Sequence, residues 1–176
     1  MTAFTAVAAR NDRALDYRWA LLFVALALAV ITVMLELPGI QDALLPVALL
    51  TARWTQVWVA WLGMPVSRDG IELSHEGGFA FEIDAACTAI VPLVLLSAAI
   101  AASTLPLRRK TFGVACGAAG MILVNQVRLV SLLWCDAHAP RWLDPMHDWF
   151  WPALLTGVGV LYWRLLHRAA TRECHP

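Results

Sequence analysis

The chain has 176 residues, 60% of them hydrophobic and only 15% charged, with a mean hydropathy of +0.66 and 13 basic residues balanced by 13 acidic ones. Soluble domains hold about 45–50% apolar and about 25% charged residues, so part of this chain's solvent is lipid. There is no basic excess, no aromatic/basic RNA motif and no zinc-finger pattern, which sets nucleic acid aside as a partner, and four or five bilayer spans leave no room for a separate soluble domain.

A hydrocarbon core of about 30 Å takes roughly 17–25 apolar residues as a helix. The first such stretch, 19–37, follows Arg10, Arg13 and Arg18 and leads into Pro38-Gly39 instead of an A-x-A site. It is longer than the apolar region of a signal peptide, so it reads as a retained anchor. The next stretch, 43–63, contains Pro46, Thr51, Arg53, Thr55 and Gln56, with Trp54, Trp58 and Trp61 at helical spacing. Hydropathy alone leaves open whether it spans or lies in the interface, where tryptophan is enriched.

Charge decides the expectation. Nine of the 13 basic residues fall into three clusters, Arg10/Arg13/Arg18, Arg108/Arg109/Lys110 and Arg164/Arg168/Arg172. Placing all three on the cytoplasmic side requires an even number of crossings between the first and second. Stretches 19–37 and 88–105 supply two, so 43–63 is expected on the outer face as an amphipathic or re-entrant helix. Between them, 66–84 alternates Ile71, Leu73, Phe79, Phe81 and Ile83 with Glu72, Ala80 and Glu82, and Asp69-Gly70 and Gly77-Gly78 supply turns. That pattern predicts a small extracytoplasmic β-hairpin or meander. Two further apolar runs, 112–134 and 149–166, complete the set. The expected fold is a single all-α polytopic membrane domain over 1–176, with about four transmembrane helices and these two outer-face elements; five full spans is the alternative.

This order brings three chemically distinct residues to one depth. Cys87 lies at the outer start of 88–105, where Asp84 or Thr88 is placed to cap the helix. Arg128 lies six residues before the outer end of 112–134, and His147 lies just outside 149–166. A thiol at a helix N-terminus near an imidazolium or guanidinium gains thiolate character. Arginine stays protonated and donates to an oxyanion, and histidine exchanges a proton with a leaving amine. Asn125 precedes Arg128 by three residues, hence shares its helix face and is placed to orient the guanidinium or hold substrate backbone. Such a set suits acyl transfer and calls for neither a cofactor nor a metal.

The residues also admit plainer readings. Cys87 fits a small buried hydrophobe or a disulfide partner of Cys135, while Cys116 and Cys174 lie apart from both. A charged Arg128 in a span costs about 2.5–3.5 kcal/mol on insertion scales, which favours function. Asn125 fits interhelical hydrogen bonding, and His147, beside Asp148, Trp149 and Trp151, fits a polar belt. Arg53 and the Trp54/Trp58/Trp61 stripe suit an interfacial anchor, or an entrance for a substrate helix. Cys135-Asp136-Ala137-His138 has the C-x-x-H spacing of a zinc site, which would need Cys87 or His75 to fill it.

The segments Phe79-Ala80-Phe81-Glu82-Ile83-Asp84-Ala85-Ala86-Cys87-Thr88-Ala89, Asn125-Gln126-Val127-Arg128-Leu129-Val130-Ser131-Leu132 and Asp144-Pro145-Met146-His147-Asp148-Trp149 resemble, in order and spacing, the Cys, Asn-x-x-Arg and His blocks of the exosortase/archaeosortase family of membrane cysteine transpeptidases, the short exosortase H type in particular. The similarity runs from about residue 44 to 166. It implies Cys87 as nucleophile, Arg128 as stabiliser of the oxyanion and His147 as general acid/base, with Asn125, Thr88 and Asp84 in support. It further implies a bacterial cytoplasmic (inner) membrane location with both termini cytoplasmic and the site facing outward. The implied partners are the bilayer, membrane-anchored proteins carrying a C-terminal sorting signal, and an acceptor the sequence does not name. Ala89 stands where the family usually has glycine, and Pro92 follows within the helix start; both bear on specificity. A non-catalytic membrane assembly or transport subunit is the alternative, and it gives no reason for the three residues to meet.

Overall fold

The computed structural model describes residues 39–64, 66–75 and 80–172, with isolated helical positions at 22, 25, 28 and 29. Apart from those positions, the expected first span 19–37 lies outside the described residues, as do Arg10, Arg13, Arg18, the Gly77-Gly78 turn and Cys174.

Helix α1, Ile40–Trp61, starts after Gly39, whose φ of 90° only glycine adopts without strain, and carries Asp42 in its first turn, where the helix dipole favours a negative charge. Ala48, Ala52, Thr55 and Val59 are buried at helical spacing, while Leu45, Leu50, Trp54, Val57, Trp58 and Trp61 cover the outer face. Its polar residues are satisfied internally. Thr51 and Thr55 donate to the carbonyls of Val47 and Thr51 at 2.8 and 2.9 Å, and Gln56 donates to the Val66 carbonyl at 3.1 Å. The helix ends in a left-handed turn at Gly63 (φ 79°), with the Met64 amide donating back to Val59.

A three-stranded antiparallel meander follows, β1 (Ser67–Asp69), β2 (Glu72–Ser74) and β3 (Ala80–Glu82), in sheet order β1-β2-β3. Its register pairs Leu73 with both Arg68 and Phe81. Leu73 and Ile83, both fully buried, join Val59, Met64, Val66, Cys87, Leu129 and Leu133 in one apolar cluster. The meander is therefore the cover over one end of the bundle.

After a 3-10 turn, Ala85–Cys87, comes α2, Ile90–Ala101. Pro92 fits in its first turn, where the missing N–H has no intrahelical partner to lose. The helix stops before Pro106; Ser103 Oγ donates to the Ile100 carbonyl at 2.6 Å and Lys110 Nζ to that of Ala101 at 2.7 Å, which satisfies carbonyls the helix leaves open. Helix α3, Leu107–His138, runs 32 residues, about 48 Å, with Gly113, Gly117, Met121, Asn125, Leu129 and Leu132 along its buried stripe. The two glycines admit neighbours closely: a Cβ on Gly117 would lie 2.8 Å from Leu96 Cδ2 and 2.9 Å from Tyr162 Cε1. Short turns at Pro140–Trp142 and Leu143–Pro145 and a π-helical turn, Met146–Phe150, lead into α4, Trp151–Arg172. Tyr162 of α4 donates to the Gly113 carbonyl of α3 at 2.7 Å.

Helices α1 and α3 are long and apolar enough to cross a membrane, with mean hydropathies of 1.2 and 1.5 over their best windows, and α2 is a shorter apolar helix. Helix α1, expected on the outer face, also packs along α3. Thr55 Oγ1 meets Gln126 Oε1 of α3 at 2.9 Å, and Val59 and Met64 beyond it share a cluster with Leu129 and Leu133 beyond Gln126. Helix α1 thus lies against α3 through this hydrogen bond and a shared apolar cluster. The polar residues that suggested a surface helix are spent on its own carbonyls, on α3 and on the sheet.

Candidate active site

Cys87 closes the 3-10 turn between β3 and α2, and Asp84 caps that turn by accepting the Cys87 amide N–H at Oδ1, 2.9 Å away. Thr88, buried behind it, donates to the Ala85 carbonyl at 2.6 Å and receives the Ile90 amide at 3.5 Å, bridging the turn to the start of α2. The sequence places Asp84 or Thr88 as the cap of the following helix; in the structure Asp84 caps the 3-10 turn instead, and the helix begins after Ala89 without a side-chain cap. The thiol lies 4.0 Å from the Glu82 carbonyl and is 8% exposed. Cys87, Cys116 and Cys135 are free thiols, so Cys87 and Cys135 are not joined.

Across from Cys87 stands α3. Asn125 Nδ2 donates to the Cys87 carbonyl at 2.9 Å, and Asn125 Oδ1 accepts from Arg128 Nη1 at 3.5 Å. The three-residue spacing read from the sequence does put asparagine and arginine on one face; the sequence had no means of showing that the amide's other end grips the backbone of Cys87. Asn125 and Arg128 are both buried, at 2% and 8% exposure. Because α3 continues past Trp134 to His138, Arg128 lies ten residues, about 15 Å along the helix, before its end, where six were expected. Its Nε is buried with no hydrogen-bond partner.

The electrostatics differ from the sequence expectation. Burial pushes the Cys87 thiol up to a pKa of about 11, helped by the charge of Asp84 and by the hydrogen bond between its carboxylate and the thiol, and Arg128 pulls it down without offsetting them. Helix α2 begins only at Ile90, and the Cys87 amide is spent on Asp84, so no helix N-terminus serves the sulfur. Together these effects favour the protonated form of Cys87.

His147 sits in the π-helical turn, half exposed, with Nδ1 2.8 Å from Asp148 Oδ1. Among the described residues it makes no hydrogen bond to Cys87, Asn125 or Arg128. The structure joins those three directly, whereas His147 is held at Nδ1 by Asp148. Asp148 escaped functional notice in the sequence because an acidic residue beside a tryptophan belt carries no distinguishing spacing. The C-x-x-H pair is turned elsewhere: Cys135 Sγ donates to the Ala139 carbonyl at 3.5 Å, and His138 stacks on Trp134 with Nδ1 3.0 Å from the Trp134 carbonyl. Arg53 and the tryptophans of α1 face outward, away from Cys87.

A family model described as transmembrane exosortase (Exosortase_EpsH) matches residues 14–161, a range that contains all three sequence blocks. No curated protein and no solved structure matches the chain significantly.

Proposed function

The chain belongs to the transmembrane exosortase family, and from that premise we propose that it is a membrane-embedded cysteine protease/transpeptidase that cleaves C-terminal sorting signals on the outer face of a bacterial cytoplasmic membrane. The observation that carries this reading is the buried chain from the Cys87 carbonyl through Asn125 to Arg128, ending in a guanidinium N–H with no acceptor. A buried N–H left unpaired beside a free thiol is a waiting place for a substrate oxygen.

In the proposed reaction His147 Nε2 takes the thiol proton as Cys87 Sγ attacks the scissile carbonyl carbon. Arg128 stabilises the oxyanion. The intermediate then collapses as His147 returns the proton to the departing amine, leaving a thioester on Cys87. An acceptor amine or water, deprotonated by His147, attacks the thioester and restores the thiol. A neutral resting thiol suits this order, since it spares an unoccupied site from oxidation and alkylation. Asp148, bonded to Nδ1, fixes the tautomer that leaves Nε2 free as base.

Helices α2 and α4 run away from the site and α3 returns to it. Arg108, Arg109, Lys110, Arg164 and Arg168 therefore gather at the far end, which the positive-inside bias assigns to the cytoplasm.

The test is co-expression with a membrane protein from the same proteome whose C-terminal tail combines a short motif, an apolar helix and terminal arginines. Cys87→Ala is expected to abolish processing, Arg128→Ala to slow it about 10²–10³-fold and His147→Ala about 10²–10⁴-fold. Normal processing by all three variants would sink the reading and favour a non-catalytic assembly subunit.

A further inference from the structure

A second buried donor without an acceptor begins α4: Trp151 Nε1, on a side chain 5% exposed. Its place follows from the antiparallel register of α3 and α4. A Cβ on Gly113 would meet Leu166, one on Gly117 would meet Tyr162, and one on Gly159 would lie 3.1 Å from Met121 Cε. Each turn up α3 is thus one turn back along α4. Two more turns beyond the Met121–Gly159 contact set Trp151 opposite Arg128. Helix α2 obeys the same level, since Leu96 packs at Gly117 and Cys87 is bonded to Asn125. Three elements therefore deliver Cys87, Arg128 and Trp151 to within about one helical turn of one another along the bundle, and two of the three carry a buried N–H with nothing to donate to.

Ordinary packing accounts for the indole ring, which meets Phe150 edge-on at 5.4 Å, but leaves its N–H unexplained. A tryptophan at a lipid interface normally turns its N–H to water; this one is buried. A peptide carbonyl has two lone pairs, and sites that stabilise its oxyanion generally offer two donors. We propose that Trp151 Nε1–H and Arg128 Nε–H together hold the carbonyl oxygen of the scissile peptide, making Trp151 a substrate-binding and catalytic residue. The proposal rests on the transpeptidase reading above. Both donors lie on helices, so the pair is positioned before substrate arrives, and neither exchanges a proton in the reaction.

The variant Trp151→Phe keeps an aromatic ring against Phe150 and deletes the donor together with part of the buried indole. Processing by membranes carrying it, per molecule of folded protein, is expected to fall about 10- to 100-fold in kcat with KM little changed, alongside a modest drop in melting temperature from the smaller ring. A wild-type rate in Trp151→Phe, with Cys87→Ala inactive in the same assay, overturns the role of Trp151 and leaves the reading of the site intact. Processing by Cys87→Ala at the wild-type rate overturns both. A measurement without turnover covers a variant that fails to accumulate: ¹⁵N-indole resonances of detergent-solubilised Cys87→Ala protein, titrated with a synthetic tail peptide that includes the scissile segment. A downfield shift of the Trp151 N–H on peptide binding supports the proposal. Peptide binding that shifts other resonances but not this one overturns it.

Discussion

Replacing Asp84 by asparagine keeps the oxygen that accepts the Cys87 amide at 2.9 Å and removes the negative charge beside the thiol. In the native protein the thiol is raised from 9.0 to about 11, first by burial and then by Asp84. At pH 8 that lowers the resting thiolate from about one molecule in ten to about one in a thousand. The substitution leaves burial in place and lets Arg128 act unopposed, so it restores part of this loss. A thiolate of lower pKa is also a somewhat weaker nucleophile, which trims the gain. Alkylation of Cys87 at pH 8, in a chain whose other three cysteines are alanine, is expected to quicken about three- to tenfold. The half-maximal rate is expected to move to lower pH. The sign follows from the charge: removing an anion favours the anionic form of its neighbour. The assay is stopped-time labelling of membranes with a small methanethiosulfonate over a pH series, and reagent access cancels in the ratio of the two variants. An unchanged or slower rate would show that Asp84 acts on the backbone alone.

Two further outcomes test the scaffold around the site. Asn125→Leu leaves the buried Cys87 carbonyl and Arg128 Nη1 without their shared partner, so it is expected to cost about 1–3 kcal/mol in detergent unfolding and to abolish processing; wild-type processing would detach Asn125 from the site. Gly117→Val drives a side chain into Leu96 and Tyr162, so the bundle is expected to lose about 1–3 kcal/mol, read as a lower melting temperature, and an unchanged one would refute the close approach of α2, α3 and α4.

What could be read from the chain divides along physical lines. Periodicity and turn residues are local, and they located the meander, the helix carrying Arg128 and the helix after His147. The Asp69-Gly70 turn and the alternation of Ile71 and Leu73 need no tertiary knowledge, nor does the shared face of Asn125 and Arg128. Ends were less legible: α3 begins at Leu107 and reaches His138 because no breaker interrupts it after Pro106, although hydropathy fades at both ends. The expected span at 88–105 becomes a 12-residue helix because Asp84 and Thr88 hold the cysteine in a 3-10 turn ahead of it. Helix α1 was assigned by charge bias, which counts loops and is blind to Thr55 reaching Gln126 across 71 residues.

By itself, then, the sequence determined the order of the three blocks, the spacing of Asn125 and Arg128 and the membrane character of the chain, since each depends on neighbours along the backbone. Tertiary structure alone decided that Asn125 holds the carbonyl of Cys87, 38 residues away, that burial raises the pKa of the thiol, and that the N–H groups of Arg128 Nε and Trp151 Nε1 are buried without a partner. Those outcomes depend on which groups lose water together. Burial is a property of the packed helices and no pattern along the chain encodes it directly.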